Sequence, residues 1–123
     1  MLVTPLVLVV DDDPFMREIT RIHLERAGYD VALAESAADG LAKARSLRPS
    51  VVIMDVAMPG GSGVDALRSM RTDTEMGAIP VMMVTAWSLE KSQLEAEGLL
   101  ATWLQKPIMA QTLIESVQNL LPS

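Results

Sequence analysis

The stretch Leu6-Val7-Leu8-Val9-Val10-Asp11-Asp12-Asp13-Pro14 joins five apolar residues directly to three acids and a proline. An apolar run rich in valine, without alternating polar residues, is typical of a strand that is covered on both faces. Asp13 and Pro14 then predict the start of a helix, because an aspartate side chain caps free N–H groups and proline fits the first turn. The stretch therefore predicts a buried strand followed by a helix, with Asp11 and Asp12 between them.

The same alternation of short apolar runs and longer amphipathic segments continues along the chain, and it predicts an α/β fold. The predicted strands are Pro5 to Val10, Asp30 to Ala34, Ser50 to Met54, Pro80 to Val84 and Thr102 to Gln105. The predicted helices are Asp13 to Gly28, Ser36 to just before Pro49, Ser62 to about Arg71, Ser88 to about Glu97, and a last one around Leu113 to Leu121. We expect a doubly wound, five-stranded parallel sheet of flavodoxin-like order 2-1-3-4-5, with helices on both faces.

Composition limits the kinds of protein that this chain can be. Its 123 residues are enough for one domain, which we expect to span residues 1–123. The formal net charge is -6 and the basic residues form no cluster, so direct binding to nucleic acid is not expected. No apolar run approaches the roughly 18 residues that cross a membrane. Because cysteine is absent, a cytoplasmic domain without disulfides is expected.

Polar residues directly follow the apolar strands, and they indicate where a site would form. Asp11 and Asp12 follow the first strand and Asp55 follows the third. In this strand order the two strands are neighbours about 4.8 Å apart, and ligands of such sheets bind at the carboxyl ends of the strands. Three carboxylates would then share one crevice, where mutual repulsion favours a bound cation. Oxygen ligands of this kind suit Mg²⁺, which commonly binds a phosphate as well.

Two further residues at strand ends extend this prediction to phosphate chemistry. Lys106 follows the fifth strand and supplies a positive charge, and Thr85 follows the fourth and offers a hydroxyl donor. Asp55 lies between the other acids and Lys106. It is the candidate phosphate acceptor, because carboxylates can act as nucleophiles and form aspartyl-phosphates.

Taken together, these residues resemble the receiver domain of two-component response regulators. The resemblance covers the whole chain, in order and at the spacing of the family. It is carried by Val9-Val10-Asp11-Asp12-Asp13-Pro14, Asp55 with Met58-Pro59 and Gly63, Thr85-Ala86, and Lys106-Pro107. Each motif alone is weak, but the set is specific. The Lys106-Pro107 bond is often cis in this family.

The resemblance implies roles for the site residues. Asp55 would accept a phosphoryl group from the phosphohistidine of a sensor histidine kinase or a phosphotransfer protein. Mg²⁺ would be bound directly by the residues Asp12 and Asp55 and by the main-chain carbonyl of Ala57, with Asp11 acting through water. Thr85 and Lys106 would hold the phosphoryl oxygens. The domain would catalyse only its own phosphorylation and dephosphorylation.

A conformational switch is also implied by the resemblance. Thr85 would move toward phosphorylated Asp55, and the aromatic residue on the fifth strand, here Trp103, would follow. The face made by the fourth helix, fifth strand and fifth helix would then bind a downstream target or effector domain, or a second copy in a phosphorylation-dependent homodimer. A plain core or interface role is the alternative for Trp103.

Other functions compete with this interpretation. A phosphorelay shuttle, which passes the group to another histidine, would share every residue named above. An aspartate-nucleophile phosphatase would need a small hydroxyl or β-branched residue where Phe15 stands. An interaction domain that is never phosphorylated usually lacks one of the site residues, and a flavin-binding relative would not have an acidic first loop.

Several residues have both a functional and a structural interpretation. Trp87, at the rim of the site, either shields the phosphoryl group from water or anchors the fourth helix. His23, the only histidine, is interpreted as a packed or half-exposed helical residue remote from the strand ends. Leu99 and Leu100 are interpreted as core residues, with a partner contact as the alternative. The nine methionines lie on no single stripe and are interpreted as core filler.

Overall fold

The computed structural model describes residues 4–56, 63–85 and 101–121. Within these ranges the strands β1 to β5 are Leu6–Val10, Asp30–Ala34, Val51–Asp55, Val81–Thr85 and Thr102–Gln105. The helices are α1, Pro14–Arg26; α2, Ala37–Leu47; α3, Gly63–Thr72; and a C-terminal helix, Ala110–Leu120. The predicted fourth helix, Ser88 to about Glu97, lies outside the described residues. No helix of the described ranges is long and apolar enough to span a membrane.

The five strands form one parallel sheet in the order β2-β1-β3-β4-β5, which confirms the predicted fold class. Strands β3 and β4 run one residue further than predicted, to Asp55 and Thr85. The main-chain hydrogen bonds between strands continue beyond the predicted strand ends: Val56 N–H donates to Val84 O at 3.0 Å, and Lys106 N–H donates to Thr85 O at 2.9 Å. Asp55 and Thr85, which were predicted to follow their strands, are therefore the last residues of those strands, and Lys106 directly follows β5.

Each face of the sheet is covered by helices, as expected for strands that are apolar on both sides. Alternate side chains of one strand enter different cores because successive residues point to opposite faces. The core beneath α2 and α3 includes Leu8, Val10, Val52, Met54, Val81 and Met83 from the sheet. The core beneath α1 and the C-terminal helix includes Val7, Val9, Val51, Ile53, Met82 and Val84. Five methionines are almost fully buried: Met54, Met70, Met76, Met82 and Met83.

The start of α1 has the predicted cap. The Asp13 carboxylate accepts hydrogen bonds from Phe15 N–H at 2.9 Å and from Met16 N–H at 3.4 Å. Gly28, with φ of 98°, follows the end of this helix in the left-handed conformation that favours glycine. Asp13 therefore marks the beginning of α1 and Gly28 marks its end. The cap also fixes the backbone that follows Asp11 and Asp12 at the start of the helix.

The start of α2 is a variant of the capping box, in which the N-cap residue and an acid three residues later exchange hydrogen bonds. Ser36 Oγ accepts from Asp39 N–H at 3.1 Å, as expected. The Asp39 carboxylate, however, accepts from Glu35 N–H at 3.4 Å and not from the serine N–H. The aspartate side chain is shorter than the glutamate of the usual box. Its reciprocal hydrogen bond lies one residue earlier in the chain than in the usual box.

Close contact between α3 and the end of β3 requires a glycine. A Cβ atom at Gly63 would lie 2.3 Å from the main-chain oxygen of Asp55. Gly63 N–H also donates to Val56 O at 2.9 Å. The first turn of α3 is thereby held directly against the carboxyl end of β3, which positions Asp55.

Candidate functional site

Three carboxylates converge at the carboxyl edge of the sheet. Asp11 and Asp12 follow β1 and Asp55 ends β3, the neighbouring strand. One oxygen from each of the three side chains lies within 4.8 Å of the others. Asp55 is only 7% exposed, Asp11 is half-buried and Asp12 is exposed. The structure thus brings together the three acids that the strand ends indicated, with Asp55 deepest.

Lys106 approaches this acidic cluster from the side of β5. Its Nζ atom lies 2.9 Å from Asp55 Oδ2, and the lysine precedes a cis bond to Pro107. Burial disfavours the charged ammonium, but the hydrogen bond that the ammonium donates to Asp55 and the attraction of the three carboxylates outweigh this effect and raise the lysine pKa. Lys106 is therefore held charged at neutral pH beside the buried acid.

The Asp11 carboxyl is perturbed by its position in the pocket. Its pKa is raised, first because burial disfavours the charged form and further because the charges of Asp55 and Asp12 repel it. A hydrogen bond from Asp13 N–H to Asp11 Oδ1, at 2.9 Å, and the attraction of Lys106 act in the opposite direction. An anionic pocket with oxygen donors at this spacing fits a hard divalent cation such as Mg²⁺.

Thr85 lies one strand away from Asp55. It ends β4, is 6% exposed, and directly follows Val84, the register partner of Asp55. Its own register partner is Gln105, two residues after Trp103 on β5. Since side chains two residues apart share a face of the sheet, Thr85 and Trp103 point to the same side. Trp103 is half-buried there against the core beneath α2 and α3.

A cavity of about 400 Å³ extends from the acidic cluster between α1 and the C-terminal helix. Asp11, Asp55 and Lys106 contribute to its wall, together with mostly apolar side chains. His23 also lines this cavity and is half-buried, as predicted. His23 reaches this cavity because helical side chains three and four residues apart face the same side, as Met16, Ile19 and Thr20 of the same wall do.

Sequence analysis overlooked Arg17. Its Nη1 atom donates a 2.8 Å hydrogen bond to the main-chain oxygen of Asp11. The arginine lies in the second turn of α1 and had no distinguishing spacing. Its partner is a backbone atom, and no pattern of side chains identifies such a contact.

Several predicted residues lie outside the part of the chain that the structure describes. Those outside the described ranges are Ala57, with the expected metal-binding carbonyl; Met58 and Pro59; Ala86; Trp87; and Leu99 and Leu100. Their predicted roles stay predictions.

An acidic pocket with a paired lysine, at the carboxyl edge of a doubly wound parallel sheet, defines a class of α/β domain suited to cation and phosphate binding. A family model described as the response regulator receiver domain matches residues 7–118. The chain therefore belongs to the response regulator receiver domain family. Domains of this family are signalling domains that interact with histidine kinases and downstream targets, and they bind Mg²⁺ at an acidic pocket.

Similar proteins agree with this assignment. Protein PilH of Pseudomonas aeruginosa is 38% identical over 117 residues, which cover 94% of this chain and 96% of PilH. The DNA-binding dual master transcriptional regulator RpaA of Synechocystis sp. is 31% identical, over 95% of this chain but only 49% of RpaA. The chemotaxis response regulator CheY4 of Vibrio cholerae, a solved structure, is 32% identical with a TM-score of 0.87, over 97% of this chain and 100% of that one.

Proposed function

We propose that this domain is a signalling switch in which Asp55 accepts a phosphoryl group from the phosphohistidine of a sensor histidine kinase or a phosphotransfer protein. The observation that carries the proposal is the placement of the Asp55 carboxylate. It lies 2.9 Å from a charged lysine on one side and within 4.8 Å of two further acids on the other. A carboxylate between a cation and a metal-binding pocket suits a nucleophile that receives a phosphoryl group.

Transfer would proceed by direct attack. An Asp55 carboxylate oxygen forms a bond to phosphorus while the phosphorus–nitrogen bond of the donor breaks, and the imidazole nitrogen keeps the electron pair and takes up a proton. Phosphoryl transfer asks of a protein mainly positioning and charge stabilisation. Lys106 supplies a positive charge that is already in place, and burial of Asp55 limits competing water.

Magnesium would complete the charge balance of the pocket. Asp12, Asp55 and the Ala57 carbonyl would hold it directly, and Asp11 would act through water. When bound, the ion supplies positive charge to the phosphoryl oxygens. The convergence of three carboxylate oxygens within 4.8 Å of one another supports this part of the proposal, because such a group of anions can hold a cation.

The output would be a population shift. Thr85 would donate its hydroxyl to the new phosphoryl group, and Trp103, on the same side of the sheet, would move with it. The face that contains β5 and the C-terminal helix would then favour a downstream target, an effector domain or a second copy of the chain. We propose that residues 1–123 act as one cytoplasmic domain of this kind, without turnover of other substrates.

A phosphorylation assay tests this proposal. The protein is incubated with Mg²⁺ and acetyl phosphate, and the adduct is located by intact-mass and peptide mass spectrometry with hydroxylamine cleavage. We expect one phosphoryl group on Asp55, no adduct in Asp55→Asn, and an unchanged adduct in Asp30→Asn. Asp30 is a matched control because it begins β2, at the opposite end of the sheet. Absence of an adduct in the unmodified protein, with the same donor labelling a known receiver, would refute the proposal.

A further inference from the structure

The Arg17 guanidinium binds the backbone of the metal-binding loop and not its carboxylates. Nη1 of Arg17 lies 2.8 Å from Asp11 O, in a partly buried contact between α1 and the loop after β1. A hydrogen bond from a charged donor is stronger than one between neutral groups. The contact therefore fixes one peptide group of the acidic loop.

That peptide group is the one that leads into Asp12. Two other polar atoms of Asp11 are bound elsewhere: its N–H donates to Ala34 O at 3.1 Å, and its Oδ1 accepts from Asp13 N–H at 2.9 Å. Only the carbonyl oxygen depends on Arg17. Because the peptide unit is planar, the orientation of this carbonyl also sets the direction in which the chain enters Asp12.

Asp12 has little else to hold its direction. Its side chain is exposed, and its carboxylate accepts no hydrogen bond from the residues that the structure describes. Asp11 and Asp55, by contrast, are held by a backbone donor and by Lys106. The orientation of the Asp12 side chain thus depends on the backbone to which Arg17 is hydrogen-bonded.

We propose that Arg17 is a positioning residue, which fixes the Asp11–Asp12 peptide and thereby keeps the Asp12 carboxylate aimed at the metal. This inference rests on the magnesium site of the proposed function. It predicts a change in Mg²⁺ affinity, on replacement of Arg17, that is opposite in sign to the change expected from charge alone. Removing a nearby cation should tighten Mg²⁺ binding through charge alone, whereas loss of positioning should weaken it.

The test measures Mg²⁺ affinity of the unphosphorylated protein by isothermal titration calorimetry. We expect Arg17→Met to bind Mg²⁺ about 10-fold more weakly than the unmodified protein, because a charge-assisted hydrogen bond is lost. Arg21→Met is the matched control. It removes the same charge one turn further along α1, where Arg21 pairs with Glu18 and Glu25 and not with the loop after β1. We expect this variant to bind Mg²⁺ with unchanged or slightly higher affinity.

A kinetic measurement separates positioning from general damage. In Arg17→Met the Mg²⁺ concentration for half-maximal phosphorylation by acetyl phosphate should rise about 10-fold, while the rate at saturating Mg²⁺ stays within about twofold. Urea unfolding checks that the variant folds. If it does not, Arg17→Lys carries the test: it keeps the charge but has a different donor geometry, and we expect about threefold weaker Mg²⁺ binding.

Mg²⁺ binding by the folded variant that equals or exceeds that of the unmodified protein would overturn the inference. In that case the proposed function stands, since the unmodified protein binds Mg²⁺ and is phosphorylated. If the unmodified protein itself binds no Mg²⁺, the inference and the metal site of the proposed function fail together. The two failures are therefore distinguishable.

Discussion

The Nζ atom of Lys106 lies 2.9 Å from Oδ2 of Asp55, although the two residues are 51 positions apart in the chain. The lysine side chain is about one third exposed and the aspartate side chain is 8% exposed. A buried carboxylate needs a compensating partner, and in the described residues Lys106 is the cation that pairs with it. The pair places a positive charge directly against Asp55, in a pocket that also contains the carboxylates of Asp11 and Asp12.

Replacement of Lys106 should slow phosphoryl transfer without weakening Mg²⁺ binding. In Lys106→Met we expect Mg²⁺ to bind at least as tightly, because a competing cation is removed from Asp55. Phosphorylation by acetyl phosphate at saturating Mg²⁺ should slow by about 10²-fold, since a preorganised positive charge is lost. Lys43→Met, on α2, is the control and should change neither quantity. Loss of Mg²⁺ affinity in Lys106→Met would contradict this account.

Removal of the Asp11 charge should stabilise the metal-free protein at neutral pH. The Asp11 pKa is raised in the folded state, so the folded protein binds its proton more tightly than the unfolded chain does, and ionisation of this group costs stability as pH rises above the ordinary carboxyl value. Solvent screening limits the effect because Asp11 is only half-buried. We expect Asp11→Asn to raise the melting temperature by roughly 2 to 4 °C at pH 7 in EDTA.

Measurements of Asp11→Asn at low pH and with Mg²⁺ are the controls for this electrostatic explanation. At pH 3 most of the Asp11 carboxyl is protonated in either state, so the melting temperatures of Asp11→Asn and the unmodified protein should converge. With Mg²⁺ at pH 7 the unmodified protein should gain more stability than the variant. A stability difference that is the same at pH 3 and pH 7 would rule out this electrostatic explanation.

The contact of Gly63 with Asp55 should make position 63 intolerant of a side chain. A Cβ atom there would lie 2.3 Å from a backbone oxygen, which cannot move away as a flexible side chain can. We expect Gly63→Ala to lower the free energy of unfolding by about 2 to 3 kcal/mol, measured in urea, and to slow phosphorylation of Asp55. Gly28→Ala is the comparison, with a positive φ but no atom within 4 Å of the added Cβ, and should cost about 1 kcal/mol.

Trp103 should report the switch by fluorescence. Its half-buried indole packs against the same core as Met83, its register partner on β4, two residues before Thr85. In a Trp87→Phe background we expect the emission maximum or intensity to change when Mg²⁺ and beryllofluoride are added. The same additions to a protein that also carries Asp55→Asn should leave the spectrum unchanged. An unresponsive Trp103 in a protein that binds beryllofluoride would remove it from the proposed switch.

The sheet and most of the acidic pocket could be predicted from local patterns. Apolar runs covered on both faces identify the strands, and the first polar residue after each run marks the carboxyl edge. This is why Asp11, Asp12, Asp55, Thr85 and Lys106 were found without a structure. The predicted β3 and β4 began and ended one residue too early, and both carboxyl ends were misplaced because Asp55 and Thr85 are polar but still belong to the ladder.

Contacts between a helix and the backbone of the adjoining loop or strand were beyond this kind of prediction. The amino-acid sequence by itself determined the α/β class, the cap of α1 and the set of residues at the edge of the sheet, because each depends on residue type and spacing along the chain. Only the tertiary structure decided that Arg17 holds the Asp11 carbonyl and that Gly63 lies against Asp55. Those contacts depend on how far each helix is shifted along the strands, and that shift results from the packing of the two cores as a whole.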